Sequence, residues 1–457
     1  MNRIAGRTAI VWVLIVALAG GALFFVGELA VKGDTWITSP GSPHVYNGSN
    51  IGCGLVTDRS GTLLLDMTSG RVYADDLSVR KSTLHWLGDR YGYISAPAIT
   101  EHADSMVGYS FVNGTYTFAD GVAAASLTLS ADAQQAALEA LGSKKGTVAV
   151  YNYRTGEILC AVSTPNYDPD DVPDIAGDTT GKYEGVYMNR FVQTSYIPGS
   201  IFKCVTAAAA LESISDIESR TFSCSGSYDL PGGRVTCESA HGETDLREAL
   251  ARSCNCAFAQ IAEILGEEVL SQYVDQFAVT KRVSFDGITT TAGNFDIAGK
   301  EMADIAWSAI GQGNDQINPC AFLTYMGAVA GDGVAVQPHV VKEIKIGKST
   351  SYRAKTVKGE RIMTVETAQI LREYMGNNVE SVYGAENFNG LTVCAKSGTG
   401  EVGGGMKPNA TFCGFVEDRE YPLAFIVVVE DGGYGSTVCV PIISAVLDAC
   451  VDVLDAE

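Results

Sequence analysis

The chain has 457 residues, which is too long for one compact hydrophobic core and predicts two or more domains. Hydrophobic residues make up 46% of the sequence and charged residues 19%, a composition typical of folded protein rather than of disorder. The formal charge of −21 disfavours a nucleic-acid-binding protein, because such a protein needs a basic surface.

The first predicted element is an apolar helix over residues 8–27, a run without a charge. About 20 residues at ~1.5 Å each span the ~30 Å hydrocarbon core of a bilayer. Two arginines precede the run, which predicts a single-pass cell-membrane anchor in residues 1–30, a cytoplasmic N-terminus and an extracytoplasmic remainder. The alternative is a cleaved signal peptide with its cleavage site near residues 17–19.

Three further segments follow the predicted anchor. Residues 31–50 are rich in Gly, Ser, Pro and Asn and predict a linker. Residues 51–120 mix short apolar runs with many glycines, which favours a small domain that is mostly β or irregular. Residues 121–457 contain regular strand and helix patterns and are predicted to form one large domain.

Strands are predicted near both ends of this large domain, with helices between them. The predicted elements are a strand at 126–129, a helix at 132–141, strands at 147–151 and 158–162, a helix from about 200, helices at 245–265, 302–330 and 364–375, strands at 391–395, 410–416 and 423–429, and a helix at 441–454. The pattern predicts an α/β (α+β) fold. One mainly antiparallel sheet, built from both chain ends, is flanked by helices and carries an inserted helical lobe.

The twelve cysteines are compatible with disulfides in an exported chain. Most stand in apolar strands or helices and are predicted core residues, and Cys254 and Cys256 are predicted helix residues. Cys224 and Cys237 flank a Gly/Ser-rich loop, and a bridge between them would stabilise the fold by ~3 kcal/mol. Paired and free thiols both stay open for this pair.

The five histidines are scattered along the sequence. None stands in an HxxxH pattern or in a Cys/His ligand cluster, which are the usual signals of a metal site. We therefore expect neither a metal ion nor a cofactor.

Residues 196–203 contain the strongest candidate nucleophile. A proline and a glycine end the preceding structural element, and the alanine-rich run that follows favours a helix. Ser200 is therefore predicted in the first turn of a helix, with Lys203 on the same face. A serine is a poor nucleophile until a base takes its proton, and Lys203 is placed to reach Ser200 Oγ. The pattern alone is weak, because residues 78–81 match it without a following apolar helix.

Ser253 and Asn255 interrupt the apolar helical pattern over residues 245–265. Their hydrogen-bonding side chains stand at i and i+2 and are expected to point the same way. The pair is typical of a helix-end cap, and it is also a candidate functional pair.

An apolar strand leads directly into Lys396, Ser397, Gly398 and Thr399. Alternation along a strand places Lys396 and Ser397 on opposite faces. Gly398 would let a substrate backbone lie close beside the strand, and the free strand edge would bind an extended peptide. The alternative is a polar strand end that runs into a glycine-rich loop.

The three motifs, in the order Ser-x-x-Lys, Ser-x-Asn and Lys-Ser-Gly, give the chain a family resemblance. It resembles the penicillin-binding protein transpeptidase family, and most closely its membrane-anchored monofunctional (class B) members. The likeness covers about residues 51–450 and includes family-like segments at 54–61, 163–169, 241–242, 311–313 and 414–415. Ser397 departs from the threonine that the family more often has.

The resemblance implies a penicillin-binding protein or serine β-lactamase-like fold, with residues 51–120 as a short pedestal-like domain. It also implies a peptidoglycan D,D-transpeptidase that cross-links stem peptides through a serine acyl-enzyme and binds penicillin. Ser200 would attack the carbonyl of the penultimate D-alanine, with Lys203 as the base. Ser253 would relay a proton to the leaving D-alanine.

The resemblance assigns the remaining motif residues to substrate binding. Asn255 would hold the substrate amide and Lys203. Lys396 would supply positive potential, while Ser397 and Thr399, with Gly398 between them, would bind the terminal carboxylate. The backbone N–H groups of Ser200 and Thr399 would form the oxyanion hole.

The expected partners follow from the same resemblance. They are stem peptides ending in D-Ala-D-Ala, β-lactams, the membrane, and a lipid-II polymerase of the shape-elongation-division-sporulation type, but no nucleic acid. Two alternatives on the same fold stay open. One is a D,D-carboxypeptidase or serine β-lactamase, in which water takes the acyl group, and the other is a non-catalytic β-lactam sensor.

Overall fold

A computed structural model of the chain describes residues 2–39, 42, 45–47, 50–107, 109–110, 114–115 and 121–456. Its helices, in chain order, are α1 (Asn2–Ile37), α2 (Leu77–Ser82), α3 (Leu84–Leu87), α4 (Pro97–Glu101), α5 (Ala103–Met106), α6 (Ala131–Leu141), α7 (Arg190–Gln193), α8 (Lys203–Ser213), α9 (Leu246–Ala251), α10 (Asn255–Gln276), α11 (Met302–Ala309), α12 (Pro319–Ala330), α13 (Val365–Asn378) and α14 (Gly435–Asp455).

Two large sheets hold eleven strands. These strands are β1 (Leu55–Thr57), β2 (Leu63–Asp66), β3 (Val72–Tyr73), β4 (Ala123–Leu127), β5 (Gly146–Asn152), β6 (Ile158–Thr164), β7 (Val341–Ile346), β8 (Ser349–Arg353), β9 (Val393–Gly400), β10 (Asn409–Val416) and β11 (Leu423–Val429). Short two-stranded pairs join Tyr46–Asn47 to Asn50–Ile51, Tyr109–Ser110 to Gly114–Thr115, Phe222–Cys224 to Gly242–Thr244, Ser227–Leu230 to Gly233–Thr236, Ser284–Phe285 to Ile288–Thr289, and Val334–Val336 to Lys358–Arg361.

The five-stranded sheet has the order β6-β5-β11-β10-β9, and every neighbouring pair is antiparallel. Side chains on one face, such as Val148 and Val150, pack with α6 and α14. Those on the other face, such as Ala149 and Tyr151, join the core of the helical lobe. The sheet is therefore buried on both sides, which explains why its strands read as continuous apolar runs. The antiparallel sheet built from both chain ends and the inserted helical lobe are confirmed.

The six-stranded sheet has the order β8-β7-β4-β1-β2-β3, with β1 and β4 parallel. The strand predicted at 126–129 exists as β4, but the prediction that it joins the main sheet is wrong. Its buried residues Ala123 and Ala125 belong to the core, and the strand lies between β1 and β7 in this sheet. Alternation in the sequence fixes which face of a strand is buried, but not which sheet the strand joins.

The predicted division at residues 120 and 121 therefore crosses a sheet that takes strands from both sides of it. The described part of residues 51–120 also contains four short helices, α2 to α5, which the expectation of a mostly β or irregular domain did not include. Residues 108, 111–113 and 116–120 lie outside the described part of the chain. The domain boundaries themselves stay a prediction.

Helix α1 is the candidate membrane span. Residues 4–33 are apolar enough and long enough to cross a bilayer, and they lie outside the packed core. The helix continues to Ile37, so the predicted linker begins as helix, and residues 40–41, 43–44 and 48–49 of that linker lie outside the described residues. Helix α14 is also long and apolar, but it packs against the five-stranded sheet as a core helix.

An ion pair between the buried Arg190 and the partly buried Glu430 ties the segment that precedes Ser200 to the end of strand β11. Glu430 Oε1 accepts from Arg190 Nε at 2.8 Å and from Tyr196 Oη at 3.0 Å, and Glu430 Oε2 lies 3.2 Å from Lys145 Nζ. Burial raises the pKa of Glu430, but the positive charge and hydrogen bond of Arg190 outweigh burial, and the net pKa is lowered. Arg190 is among the largest fully buried side chains described in the chain, so its charge depends on this partner.

Replacing Glu430 by glutamine is expected to lower the free energy of unfolding by about 3–5 kcal/mol, because the buried Arg190 charge loses its counter-charge. Chemical denaturation of the purified full chain in detergent measures this loss. Asp229→Asn is the matched control, since the Asp229–Arg234 pair is exposed on a hairpin and its loss should leave stability unchanged. Equal effects of the two substitutions would contradict the buried role of Glu430.

Candidate active site

The three sequence motifs meet in one cleft of about 960 Å³. The cleft lies between the helical lobe and the edge strand β9 of the five-stranded sheet. Ser200, Ser253, Asn255, Ser397, Gly398 and Thr399 line it, while Lys203 and Lys396 are fully buried beneath it. Residues more than 190 positions apart in the sequence therefore share one site.

Ser200 lies at the N-terminal end of the helical segment, as predicted. A tight helical turn over Gly199–Phe202 leads directly into α8. Gly199 has φ +60°, and a Cβ at this position would overlap the backbone of Thr399. Only glycine therefore allows the turn before Ser200 to lie against strand β9.

Lys203 directs its amine at the second motif. Its Nζ donates to Ser253 O at 2.7 Å, to Ser253 Oγ at 3.1 Å and to Asn255 Oδ1 at 2.6 Å. In the part of the chain that the structure describes, Ser200 Oγ has no hydrogen bond to this amine. The predicted contact between Lys203 and Ser200 Oγ is thus not formed in the structure, because the amine bonds Ser253 and Asn255 instead.

The surroundings of Lys203 weaken its hold on a proton. Burial lowers the pKa of Lys203 to about 7, and the positive charge of Lys396 acts in the same direction. An ammonium ion loses its hydration in such a place, which favours the neutral amine. Lys203 can therefore act as a general base near neutral pH.

Ser253 places its hydroxyl between the two lysines. It lies in the break between α9 and α10 with φ +55°, a left-handed conformation that is unusual for serine. Its Oγ is 3.1 Å from Lys203 Nζ and 3.2 Å from Lys396 Nζ. The residue that caps α10 is Cys254, whose Sγ accepts from Ala257 N at 3.4 Å. The helix-cap alternative for Ser253 is therefore wrong.

Strand β9 continues through the third motif as far as Gly400, so the motif is not a strand end. Lys396 turns inward to Ser253, whereas Ser397 turns to the other face and its Oγ lies 3.0 Å from Tyr383 Oη. The predicted opposition of these two side chains is confirmed.

The edge of β9 is not free, contrary to the prediction. Ser397 N donates to Tyr383 Oη at 2.9 Å, and Thr399 O accepts from Gln312 Nε2 at 2.9 Å. No sequence motif includes Tyr383, which ends the short helical segment Val379–Tyr383. Gln312 stands in the glycine-flanked segment at 311–313, for which the family resemblance assigns no role.

Gly398 accommodates the protein's own backbone. A Cβ there would overlap Thr411 Oγ1 and would stand 2.7 Å from Pro198 O and 2.9 Å from Ile201 N. The close neighbour of this glycine is therefore the segment 196–203, which contains the candidate nucleophile Ser200 and is called the nucleophile segment below. We predicted a substrate backbone in that place.

The structure decides one open question about the cysteines and corrects one prediction. Cys224 and Cys237 are free thiols, so of the two alternatives left open for this pair the structure has the unbridged one. Both sulfur atoms instead approach His241 Nδ1, at 3.6 Å and 3.4 Å, and Cys254 completes a group of four possible metal ligands. The expectation that no histidine joins a Cys/His cluster is wrong, because β-pairing brings together residues that the sequence separates.

Comparisons with known proteins agree with this architecture. Residues 146–448 match the family model described as penicillin binding protein transpeptidase domain. The peptidoglycan D,D-transpeptidase PbpA of Mycolicibacterium smegmatis is 28% identical over 335 residues, which cover 67% of each chain.

Solved structures show the same fold. The penicillin G acyl-enzyme complex of penicillin-binding protein A from M. tuberculosis has a TM-score of 0.75 at 24% identity, over 87% of this chain and 99% of that one. Penicillin-binding protein PBP2 of Helicobacter pylori, solved in complex with MreC, has a TM-score of 0.61 at 22% identity, over 72% of this chain and 64% of that one.

Replacing Gly398 by alanine is expected to lower the free energy of unfolding by about 1–3 kcal/mol, because its Cβ overpacks the junction of β9 with the nucleophile segment. Gly376→Ala is the matched control. An added Cβ there meets Cys394 Sγ at an ordinary 3.5 Å, and alanine is favoured inside helix α13. Denaturation of both variants should give effects of opposite sign, and a neutral Gly398→Ala variant would contradict the packing argument.

Proposed function

This chain belongs to the penicillin-binding protein transpeptidase family, and on that premise we propose that it is a class B, serine-type peptidoglycan D,D-transpeptidase. The observation that carries the proposal is the hydroxyl of Ser253 between the amines of Lys203 and Lys396, at the base of the cleft that Ser200 lines. This arrangement supplies a nucleophile, a base and a proton relay in one place.

Acylation begins at the side chain of Ser200. Neutral Lys203 takes the hydroxyl proton, and Ser200 Oγ attacks the carbonyl carbon of the penultimate D-alanine. The peptide C–N bond then breaks, and the leaving amine of the terminal D-alanine receives a proton through Ser253. Asn255 holds the Lys203 amine through its Oδ1, which keeps the base beside the relay.

The oxyanion of the tetrahedral intermediate is bound by the backbone N–H groups of Ser200 and Thr399. The packing of Gly199 on the Thr399 backbone supports this pairing, since it draws the two backbone segments together. Removal of one such donor typically costs ~10²–10³ in rate.

Lys396 supplies the positive potential that attracts the terminal carboxylate of a stem peptide ending in D-Ala-D-Ala. Thr399 and Ser397 bind that carboxylate with their hydroxyls, and Ser397 Oγ can accept from Tyr383 Oη while it donates to the carboxylate. A β-lactam enters the same site and acylates Ser200.

In the second half-reaction, an amine of a neighbouring stem peptide takes the acyl group, which creates the cross-link. Hydrolysis, as in a D,D-carboxypeptidase or a β-lactamase, is the second candidate. Glu238 and Glu401, which the sequence did not single out, line the cleft and could activate a water molecule there.

The N-terminal helix sets the location of the reaction. We place α1 in the cell membrane with the N-terminus in the cytoplasm, so that the cleft faces the cell wall. A lipid-II polymerase of the shape-elongation-division-sporulation type is the proposed partner. The H. pylori protein of the same fold is solved in complex with MreC, so a chain of this fold can bind a second protein.

Incubation of the full chain with a fluorescent penicillin is expected to give one covalent adduct per chain, and Ser200→Ala should abolish it. Ser78→Ala is the matched control, because Ser78 stands in the other Ser-x-x-Lys sequence and should label normally. Intact mass followed over hours then distinguishes the candidates, since rapid loss of the adduct indicates hydrolysis. If the parent chain forms no adduct, the acyl-enzyme proposal is contradicted.

The rate of acylation by penicillin is expected to rise with pH through about 7 and then to level off, because the pKa of Lys203 is about 7 and only the neutral amine accepts a proton. Lys203→Ala should lower the rate by about 10²–10⁴ and abolish this rise. Lys281→Ala, at an exposed ion pair, should keep both the rate and the profile. A flat profile for the parent chain would contradict Lys203 as the base.

A further inference from the structure

We propose that Cys224, Cys237, His241 and Cys254 bind a zinc ion at the margin of the cleft. Their three sulfur atoms and the imidazole nitrogen all lie within 4.8 Å of one another. Three thiolates and one imidazole form one of the usual ligand sets of a structural, four-coordinate zinc site.

The distances within the cluster fit a tetrahedral ion. Zinc–sulfur bonds of ~2.3 Å and zinc–nitrogen bonds of ~2.0 Å hold sulfur and nitrogen ligands about 3.5 Å apart. His241 Nδ1 lies 3.6 Å from Cys224 Sγ and 3.4 Å from Cys237 Sγ. The ligands therefore need only small movements to close around an ion.

Regular local structure positions each ligand. Cys224 ends a strand that pairs with Gly242–Thr244, and this pairing brings it beside His241. Cys237 directly follows the hairpin of Ser227–Leu230 with Gly233–Thr236, and Cys254 caps α10. Each ligand therefore stands in, or directly beside, a paired strand or a helix end.

Contacts around the cluster are those expected for metal ligands. The backbone N–H of Asn255 donates to Cys237 Sγ at 3.3 Å, and that of Ala257 donates to Cys254 Sγ at 3.4 Å. The other ring nitrogen of His241 lies 3.4 Å from Ser239 Oγ, which can fix its tautomer. The two backbone N–H donors would stabilise the negative charge of metal-bound thiolates.

The proposed zinc site is also linked directly to the loop that holds Ser253 and Asn255. Cys254 is the residue between Ser253 and Asn255, and Asn255 joins Cys237 through its backbone N–H and Lys203 through its side chain. An ion held by four protein ligands leaves no position for substrate, so its role is to hold this loop in place. Cys254 and Cys237 act in acylation as positioning residues.

The first test measures metal in the full chain, purified in detergent with reductant and without chelator. Elemental analysis should find about one zinc per chain. Replacement of zinc by cobalt should give the visible absorption of a tetrahedral ion and a thiolate-to-cobalt charge-transfer band. Cys224→Ser, which changes a ligand away from the cleft, should lose most of the metal. Cys53→Ser, at a half-buried thiol of the N-terminal part, should keep it.

The second test measures how the metal affects acylation, and this part rests on the proposed function. Removal of zinc by a chelator should slow labelling of Ser200 by fluorescent penicillin by about 10-fold or more, and added zinc should restore the rate. Restoration distinguishes positioning by the ion from a general loss of folding.

The outcomes separate the two proposals. Stoichiometric zinc in a chain that penicillin does not label would support the metal site and contradict acyl transfer. Less than a tenth of an equivalent of zinc after reconstitution, or a mass two hydrogens lower that reveals a disulfide within the cluster in the reduced preparation, would overturn the metal site. Equal acylation rates with and without bound zinc would overturn its positioning role.

Discussion

The buried amine of Lys203 is the constraint on which the site depends. A fully buried ammonium ion is costly, so the fold must either neutralise it or surround it with acceptors. The structure does both, because burial and Lys396 lower its pKa while Ser253 and Asn255 accept its hydrogen bonds. The same surroundings leave much of this lysine as the neutral amine near pH 7 and hold it in one orientation, which are the two properties that a catalytic base needs.

Small residues make this burial possible. The alanine run of α8 lies wholly in the core, so neighbouring helices can approach the lysine closely. Gly199 and Gly398 remove the side chains that would otherwise separate the nucleophile segment from strand β9. The active site is thus formed by close backbone contact between a helix and a sheet edge. The hydrogen bonds of Glu430 to Arg190 and Tyr196 fix the position of the segment that leads to Ser200.

The sequence predicted the parts of the fold that local patterns determine. Helices α6 and α8 and the break before α10 follow from apolar periodicity and from breaking residues, and the motif residues that share the cleft follow from the family resemblance. The sheet that β4 joins, the contact of Tyr383 with the edge of β9 and the Cys/His cluster depend on contacts between distant segments. No local pattern records such contacts, so they could not be predicted.

The six-stranded sheet has a consequence for the order in which the chain can fold. Strands β1 to β4 leave one side of β4 without a partner until β7, more than two hundred residues later, has been synthesised. Contacts of such long separation form slowly, since the intervening chain must first be brought into place. Until then an exposed strand edge can pair with another chain, so the N-terminal strands need protection during synthesis, as does β5, whose partner β11 is synthesised later still.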